Sequence, residues 1–566
     1  MRKKLKTILA LLLIFAIIFI CSCGIKSEKV WDEASSAAET SSSESENTDD
    51  FLSSQESAES EISETLSVEE SEEESDESSA EEASSEVSEE AKPVITYFGI
   101  NIDGQALEWN INENIISLEL PYTFDMSLLK NVTPEISSDG IVTGLDDGRA
   151  DLTENIDLTV TGDNGVSSVY TVKTDYIYLG LPVVFIEVEN GSEVLSKETD
   201  LICTVRIDSA HCADFFPSFE ASQAAIHGRG HYSWQFDKKS FTFKLDEKRD
   251  VLGLGKAKKW VLTANYTDKS LLQNYLALEM AKATALDNLH YTVTQYPVDL
   301  FINGTYRGVY TLGEKIEVNN NRIELDTEAV EDMAFLIELG GAEEGDKVGK
   351  DYYNIGLLIA LTIKCPENDE ITEEQKEYIL NYLAEADAAV RNLDKYEDYI
   401  DVDSLIDWAI LYELTSNTDG VFRRSGYMYK DAGGKLCMGP VWDFDLAFGN
   451  FLKYEKDTWA CKGSDEGYVP YNWMNILLED EAFRTKLKSR WDEVKSELYS
   501  YTLEKLEYIA SVAAPSATLN FKVWDILNTR VLSNPRNWYE WKTWEAHIQR
   551  LRDYLEERYN WMDANF

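Results

Sequence analysis

Hydrophobic positions divide the chain into four regimes. Ile8–Ile20 is an unbroken apolar run. Residues 27–92 show almost no apolar periodicity. Residues 93–178 hold short alternating runs: Val94–Ile100, Ile115–Leu120, Ile156–Thr161 and Ser168–Thr174. Turn signals separate them, among them Asp103-Gly104, Asp139-Gly140, Asp147-Gly148 and Asn164-Gly165. Strands at this spacing predict a small all-β sandwich. Residues 179–566 predict one large α+β unit. Its first part, to about residue 325, is strand-rich: Val183–Val188, Cys203–Ile207, Phe241–Leu245, Trp260–Ala264, Val298–Ile302 and Arg307–Leu312. One helix interrupts it near Lys269–Thr284. From 326 on the pattern is helical. Thr372 and Gln375 form a capping box ahead of Tyr378, Ile379, Tyr382, Leu383, Ala386 and Val390. Further helices are predicted over Ser404–Leu414, Glu481–Leu498, Thr502–Ala514 and Trp541–Met562. A strand-rich lobe followed by a helical lobe leaves a crevice between them, a common place for a ligand.

Composition changes this picture mainly through charge. The 566 residues carry 52 basic and 104 acidic side chains, a net charge of −52. Nucleic acid is excluded as a general partner, because its phosphates are repelled over most of such a surface. The charge is uneven. Residues 1–26 hold five bases and no acid, whereas residues 27–92 hold 24 acids against Lys29 and Lys92, with 20 serines. Such a Ser/Glu stretch buries too little apolar surface to offset its chain entropy, so a disordered tether is expected. The seven cysteines show no zinc spacing, and the five beyond Cys23 are too sparse for a disulfide scaffold. The five histidines are scattered and suggest no metal cluster. Cys437 and Met438 read as packing residues.

The basic start, the apolar run and the small residues after it read as a signal peptide. Ile20-Cys21-Ser22-Cys23 resembles the signal of bacterial lipoproteins. That resemblance implies removal of residues 1–22, acylation of Cys23, and a lipid anchor on the extracytoplasmic face of a bacterial membrane. Residues 23–92 would then be the lipidated tether. The strands of 93–178 resemble the immunoglobulin-like modules of bacterial surface lipoproteins.

Three clusters carry candidate chemistry. Gly228-Arg229-Gly230 precedes Lys238-Lys239-Ser240-Phe241-Thr242-Phe243-Lys244. Glycines let a backbone approach phosphate and a lysine reaches it as a point charge, although Gly-x-Gly alone also marks an ordinary tight turn. Asn417-Thr418-Asp419 ends a helix, with Arg423 and Arg424 close behind. Gly439-Pro440-Val441-Trp442-Asp443-Phe444-Asp445 places two carboxylates one residue apart. On extended chain these point the same way, and such oxygen pairs suit Mg²⁺ or Mn²⁺. Between Asp419 and Asp443 a hairpin is predicted, with strands Gly426–Lys430 and Lys435–Met438 and the turn Asp431–Gly434.

The order Asp419, hairpin, Asp443-Phe444 resembles that of protein kinases, although His-Arg-Asp and Gly-x-Gly-x-x-Gly are missing. More specifically, residues 183–500 resemble the CotH family, the spore coat protein H-like atypical kinases. The matching strings include Gly228-Arg229-Gly230, Lys238-Lys239-Ser240-Phe241, Lys259-Trp260-Val261-Leu262, Asp268-Lys269-Ser270-Leu271-Leu272, Asn303-Gly304, Glu314-Lys315-Ile316, Asn417-x-Asp419 and Gly439–Asp445. The resemblance implies a divergent protein-kinase-like fold. It would use ATP with Mg or Mn to phosphorylate Ser or Thr of a protein, the Ser/Glu tether among the candidate substrates. Asp419 would be the catalytic carboxylate, and Asp443 and Asp445 the metal ligands. Gly228, Arg229, Gly230 and either Lys239 or Lys244 would hold the nucleotide, with Glu279 as ion-pair partner of the lysine. His231-Tyr232 and Gln273 depart from the family pattern on the nucleotide side.

A second reading keeps the fold and drops the chemistry: a surface binding or adhesion lipoprotein. Glycoside hydrolysis is weaker, because Asp443 and Asp445 are too close in sequence to flank a sugar from opposite sides.

Overall fold

The computed structural model describes residues 92–566, apart from 103–104, 122–125, 178–179, 210–211, 213–215, 341–351, 368–369, 465–466 and 532. The signal, Cys23 and the Ser/Glu segment lie outside the described residues.

The first region is built from eight strands: β1 (Ile95–Ile102), β2 (Gln105–Glu108), β3 (Asn110–Asn112), β4 (Ile115–Pro121), β5 (Glu135–Ser138), β6 (Ile141–Thr143), β7 (Ile156–Thr161) and β8 (Ser167–Ile177). They form two sheets, ordered β2-β1-β5 and β3-β4-β8-β7-β6. Both sheets contribute to one core that includes Phe98, Trp109, Ile116, Leu158 and Val172. Period-2 alternation in β7 puts Leu158 and Val160 inside and leaves Asp157 exposed.

Seven strands follow: β9 (Val183–Val188), β10 (Leu201–Asp208), β11 (Phe219–Arg229), β12 (Ser240–Asp250), β13 (Lys256–Thr263), β14 (Gln295–Ile302) and β15 (Thr305–Glu314). They close into a barrel ordered β10-β11-β12-β13-β15-β14-β9, whose one parallel pairing joins β9 to β14. Alternation again explains the interior. Phe241, Phe243 and Leu245 of β12 point in with Trp260 and Leu262 of β13, while Lys244 stays exposed. β11 is absent from the pattern-based expectation, because Ala-Ser-Gln-Ala-Ala has little β preference of its own.

Helix α1 (Gln273–Ala281), the helix expected near Lys269–Thr284, is buried on every side. A five-stranded antiparallel sheet follows, ordered β17-β18-β16-β19-β20. Its strands are β16 (Phe335–Leu339), β17 (Tyr353–Ile355), β18 (Leu358–Cys365), β19 (Gly426–Lys430) and β20 (Leu436–Met438). The last two are the expected hairpin. Helices α2 (Glu373–Asn392), α3 (Val402–Thr415), α4 (Trp473–Leu477), α5 (Glu481–Val523) and α6 (Trp544–Asn565) complete the chain. Thr372 and Gln375 form the capping box of α2.

One expectation is corrected: the helices predicted at 481–498 and 502–514 are one 43-residue helix, α5. No breaker separates them. Pro515 is tolerated because it lies on the exposed face, where the freed carbonyl of Ser511 meets water. The far end of α5 braces the barrel. Asn520 Oδ1 accepts from Val309 N (3.1 Å) and from the Lys238 ammonium (3.0 Å). Ser516 donates to Asp299 at 2.7 Å. Burial pushes the Lys238 amine down to about 7.

Among the described residues no helix is long and apolar enough to cross a membrane. Cys203, Cys212, Cys365, Cys437 and Cys461 are free thiols.

Candidate active site

The segment after β20 supplies the two paired carboxylates. Val441 and Phe444 are anchored in the core, the latter 5.5 Å from the Tyr412 ring. Phe444 N donates to Asn274 Oδ1 at 2.7 Å, tying the segment to α1. With those residues held inward, Asp443 and Asp445 both reach a cavity of about 610 Å³. Asp443 has φ +65°, a left-handed conformation that costs a non-glycine residue on the order of 1–3 kcal/mol and clusters at functional sites.

Asp419 reaches the same cavity from the loop after α3. The helix ends in a left-handed Ser416, and Asn417 Nδ2 donates to the Asp443 carbonyl at 3.0 Å. Asp419 Oδ1 accepts from Arg423 (3.0 Å) and from the Tyr468 hydroxyl. The Arg423 guanidinium stacks 3.9 Å from the Tyr468 ring, so both donors are held in place.

The cation that reaches the carboxylates from the barrel is Arg229, at the end of β11. It lies 5.3 Å from the Trp442 ring centre. Its Nη1 is enclosed with no hydrogen-bond partner. Burial lowers the basicity of this guanidinium, and Asp443 is the strongest of the charges opposing that shift. The carboxyls move the other way. Asp443 is raised by burial and then by Asp419. Asp445 is raised well above the usual range by burial and then by Asp443. Asp443 accepts from Ser425 Oγ at 3.2 Å and Asp445 from Thr267 Oγ1. Three carboxyls crowded together, with the last two resisting ionisation, create a demand for positive charge at this point.

The donor set fits a hard divalent cation. Asp443 and Asp445 offer carboxylate oxygens, and Asn417, whose Nδ2 bonds the Asp443 carbonyl, has a buried Oδ1 without a hydrogen-bond partner. Oxygen ligands of this kind are those of Mg²⁺ and Mn²⁺.

Of the other sequence candidates, Gly230 lines this cavity, whereas Gly228, Lys239, Lys244 and Glu279 do not. Gly228 does not serve close approach to a phosphate: a Cβ there would strike the Trp234 ring, which fills that space. Gly230 has φ +99° and turns the chain into the loop over the cavity. Lys239 donates to the Trp234 carbonyl at 2.7 Å and anchors that loop. Lys244, exposed on the outer face of β12, lines a second groove. Glu279 pairs with Lys282 and Lys505, and accepts from Tyr501 at 3.3 Å. The expected pairing of Glu279 with Lys239 or Lys244 is therefore corrected. α1 turns Glu279 toward α5, away from the barrel strand that carries the lysines.

The family model described as "CotH kinase protein" matches residues 226–562. The chain belongs to the CotH family. No curated protein matches it.

In this CotH domain several supporting residues carried only a weak sequence signal. Asn274 lies in the Leu271-Leu272-x-Asn274 string, and its amide Nδ2 donates to Asn265 Oδ1 at 2.9 Å. Asn450 Nδ2 donates to the Asp445 carbonyl at 2.8 Å and to that of Thr267 at 3.0 Å. Tyr468 and Ser425 had no pattern to mark them. One histidine does come close to other ligand-type groups among the described residues. His290, Asp401 and Cys437 offer ligand atoms within 4.8 Å of one another. Burial pushes the Cys437 thiol up to about 12, so it stays protonated there.

Proposed function

We propose that this CotH protein is an ATP-dependent protein Ser/Thr kinase, lipid-anchored through Cys23 at a bacterial extracytoplasmic membrane surface. The observation that carries the reading is the meeting of Asp419, Asp443 and Asp445 with Arg229 at one cavity. Phosphoryl transfer depends on positioning and charge neutralisation more than on covalent chemistry by the protein.

Each role follows from an atom's surroundings. Asp419, held by Arg423 and Tyr468, orients the acceptor hydroxyl and takes its proton. Arg229, with its enclosed unpartnered Nη1, binds phosphate oxygen by a charge-assisted hydrogen bond. Asp443, Asp445 and Asn417 would hold Mg or Mn, which supplies charge neutralisation on the phosphates when bound. The loop around Gly230 closes the cavity against water. Residues 93–178 serve as an Ig-like spacer, and the Ser/Glu segment 27–92 is a candidate acceptor because its serines adjoin glutamates.

The test uses the full chain with γ-labelled ATP and Mg or Mn, a generic Ser/Thr protein, and the Asp443→Asn variant beside it. Label transfer lost in Asp443→Asn is the expected result. Absence of both transfer and an ATP-dependent thermal shift overturns the reading. One observation favours a binding or adhesion protein that retains the fold: Asp419 Oδ1 is already engaged by two donors. A fully folded chain that transfers no label, with or without an ATP-dependent thermal shift, is the outcome that reading requires.

A further inference from the structure

Beside the carboxylate cavity runs a second groove of about 820 Å³, bounded by the outer face of the barrel, residues 315–319 and the end of β18. Its cations are Lys244, Lys248, Lys258, Lys259, Lys315 and Lys364, with Arg229 at the edge shared with the first cavity. Against these seven stand Glu317, Glu328, Glu367 and Glu370. A cationic excess is unexpected in a chain of net charge −52. Lys259 pairs with Glu317 at 3.2 Å, and Lys364 with Glu338 at 2.8 Å. Lys315 is lowered in basicity by burial and then by its neighbour Lys259. The lysines therefore repel one another, and the groove's own carboxylates only partly offset this.

The cations also have a direction. Arg229 is in register with Ser240, and Lys244 with Lys259. Lys248 lies four residues farther along β12. From Ser240 to Lys248 the strand spans at most about 26 Å at ~3.3 Å per residue, with an irregularity in its pairing between Lys244 and Arg249. The lysines thus form a track that starts beside the carboxylate site and leads away from it. A single triphosphate would engage only the near end of such a track. An extended polyanion with a charge every residue or two engages all of it.

The geometry points to a docking groove for an acidic, serine-bearing peptide, and so to the substrate class of this enzyme. This rests on the kinase reading for its consequence, though not for the binding itself. The peptide lies along the barrel with its carboxylates on the lysines. One serine reaches past Arg229 and Trp442 to the carboxylate cavity, where Asp419 meets its hydroxyl.

The test measures fluorescence anisotropy of a labelled synthetic peptide of alternating Ser and Glu on the full chain without nucleotide. An alternating Ser and Lys peptide is the control. Lys248→Glu/Lys258→Glu places two reversals at the far end of the track, where a nucleotide near Arg229 would not reach. The expected result is binding of the Ser/Glu peptide alone, weakened by added salt and at least tenfold weaker in the double variant. The ATP-dependent thermal shift should stay unchanged in that variant. No preference over the Ser/Lys peptide overturns the proposal. So does an unaltered peptide affinity together with a lost ATP shift, which would assign the whole groove to the nucleotide. If the wild-type chain binds the peptide as expected while transfer to any protein and the ATP-dependent thermal shift are both absent, the docking groove stands and the kinase reading fails. A chain that labels the generic protein but never the bound peptide overturns the peptide as substrate.

Discussion

At the scale of single residues, two side chains decide how the site behaves. Asp443 is strained at φ +65° and half-buried beside two other carboxyls, so its ionised form is disfavoured. A carboxyl whose folded value lies above its unfolded one holds its proton more tightly in the native state. Stability from that source is complete below the ordinary aspartate value of 3.8 and is lost as pH rises through the raised folded value. Metal-free protein should therefore lose stability across that window, and Asp443→Asn should flatten the loss. Thermal denaturation against pH in the presence of a chelator measures it. At neutral pH the variant is expected to gain about 0.5–2 kcal/mol while losing phosphoryl transfer, because the amide removes a buried carboxyl crowded by like charges. Arg229 is the second such residue. Charged hydrogen bonds contribute about 1.5–3 kcal/mol, so Arg229→Met should weaken ATP binding by roughly ten- to a hundredfold. Isothermal titration with Mn·ATP checks this, with the melting temperature as the folding control. An unchanged affinity would remove Arg229 from the nucleotide side.

At the scale of elements, the site is placed by helices that contribute little chemistry to it. α3 delivers Asp419 from its C-terminal end, and α1 fixes the Asp443–Asp445 segment through Asn274. α6 secures α3 by a buried ion pair, Arg558 with Glu413, at 2.6 Å. The pair is well satisfied. Glu413 also accepts from Ala460 N and Cys461 N, and Arg558 donates to the carbonyls of Glu413, Lys456 and Thr458. Removing one partner strands the other charge in the core. Arg558→Met should cost about 3–5 kcal/mol, read by chemical denaturation. A loss below about 1 kcal/mol would mean that water reaches Glu413 in the folded chain.

At the scale of the whole molecule, charge is partitioned by task. Residues 27–92 hold a dense acidic run, the carboxylate cavity gathers three aspartates, and the neighbouring groove gathers lysines. The N-terminal string adds a membrane prediction. Radioactive fatty acid fed to a bacterial host should label the wild-type chain and not Cys23→Ala. Label persisting in the variant would refute the anchor. Several acyl chains make such attachment stable where one is marginal.

Much of this was legible in the residue pattern, for a local reason. Alternation in β7 and β12, the Thr372/Gln375 cap and the Asp431–Gly434 turn involve residues near one another along the chain, so composition and spacing determine them. The family strings named Asp419, Arg229, Asp443 and Asp445 because those residues lie in short, distinctive segments. The sequence by itself also determined the uneven charge. Only the tertiary structure decided what meets what. Lys238 and Lys239 are neighbours in sequence, yet one is buried against α5 and the other anchors the Trp234 loop. Glu279 faces α5 because α1 is enclosed on all sides. Glycine at 228 answers to a tryptophan ring, and the lysines of β12, β13 and β18 become one groove only when the barrel closes beside the sheet. Such long-range contacts are selected by packing and charge in three dimensions, and no local spacing encodes them.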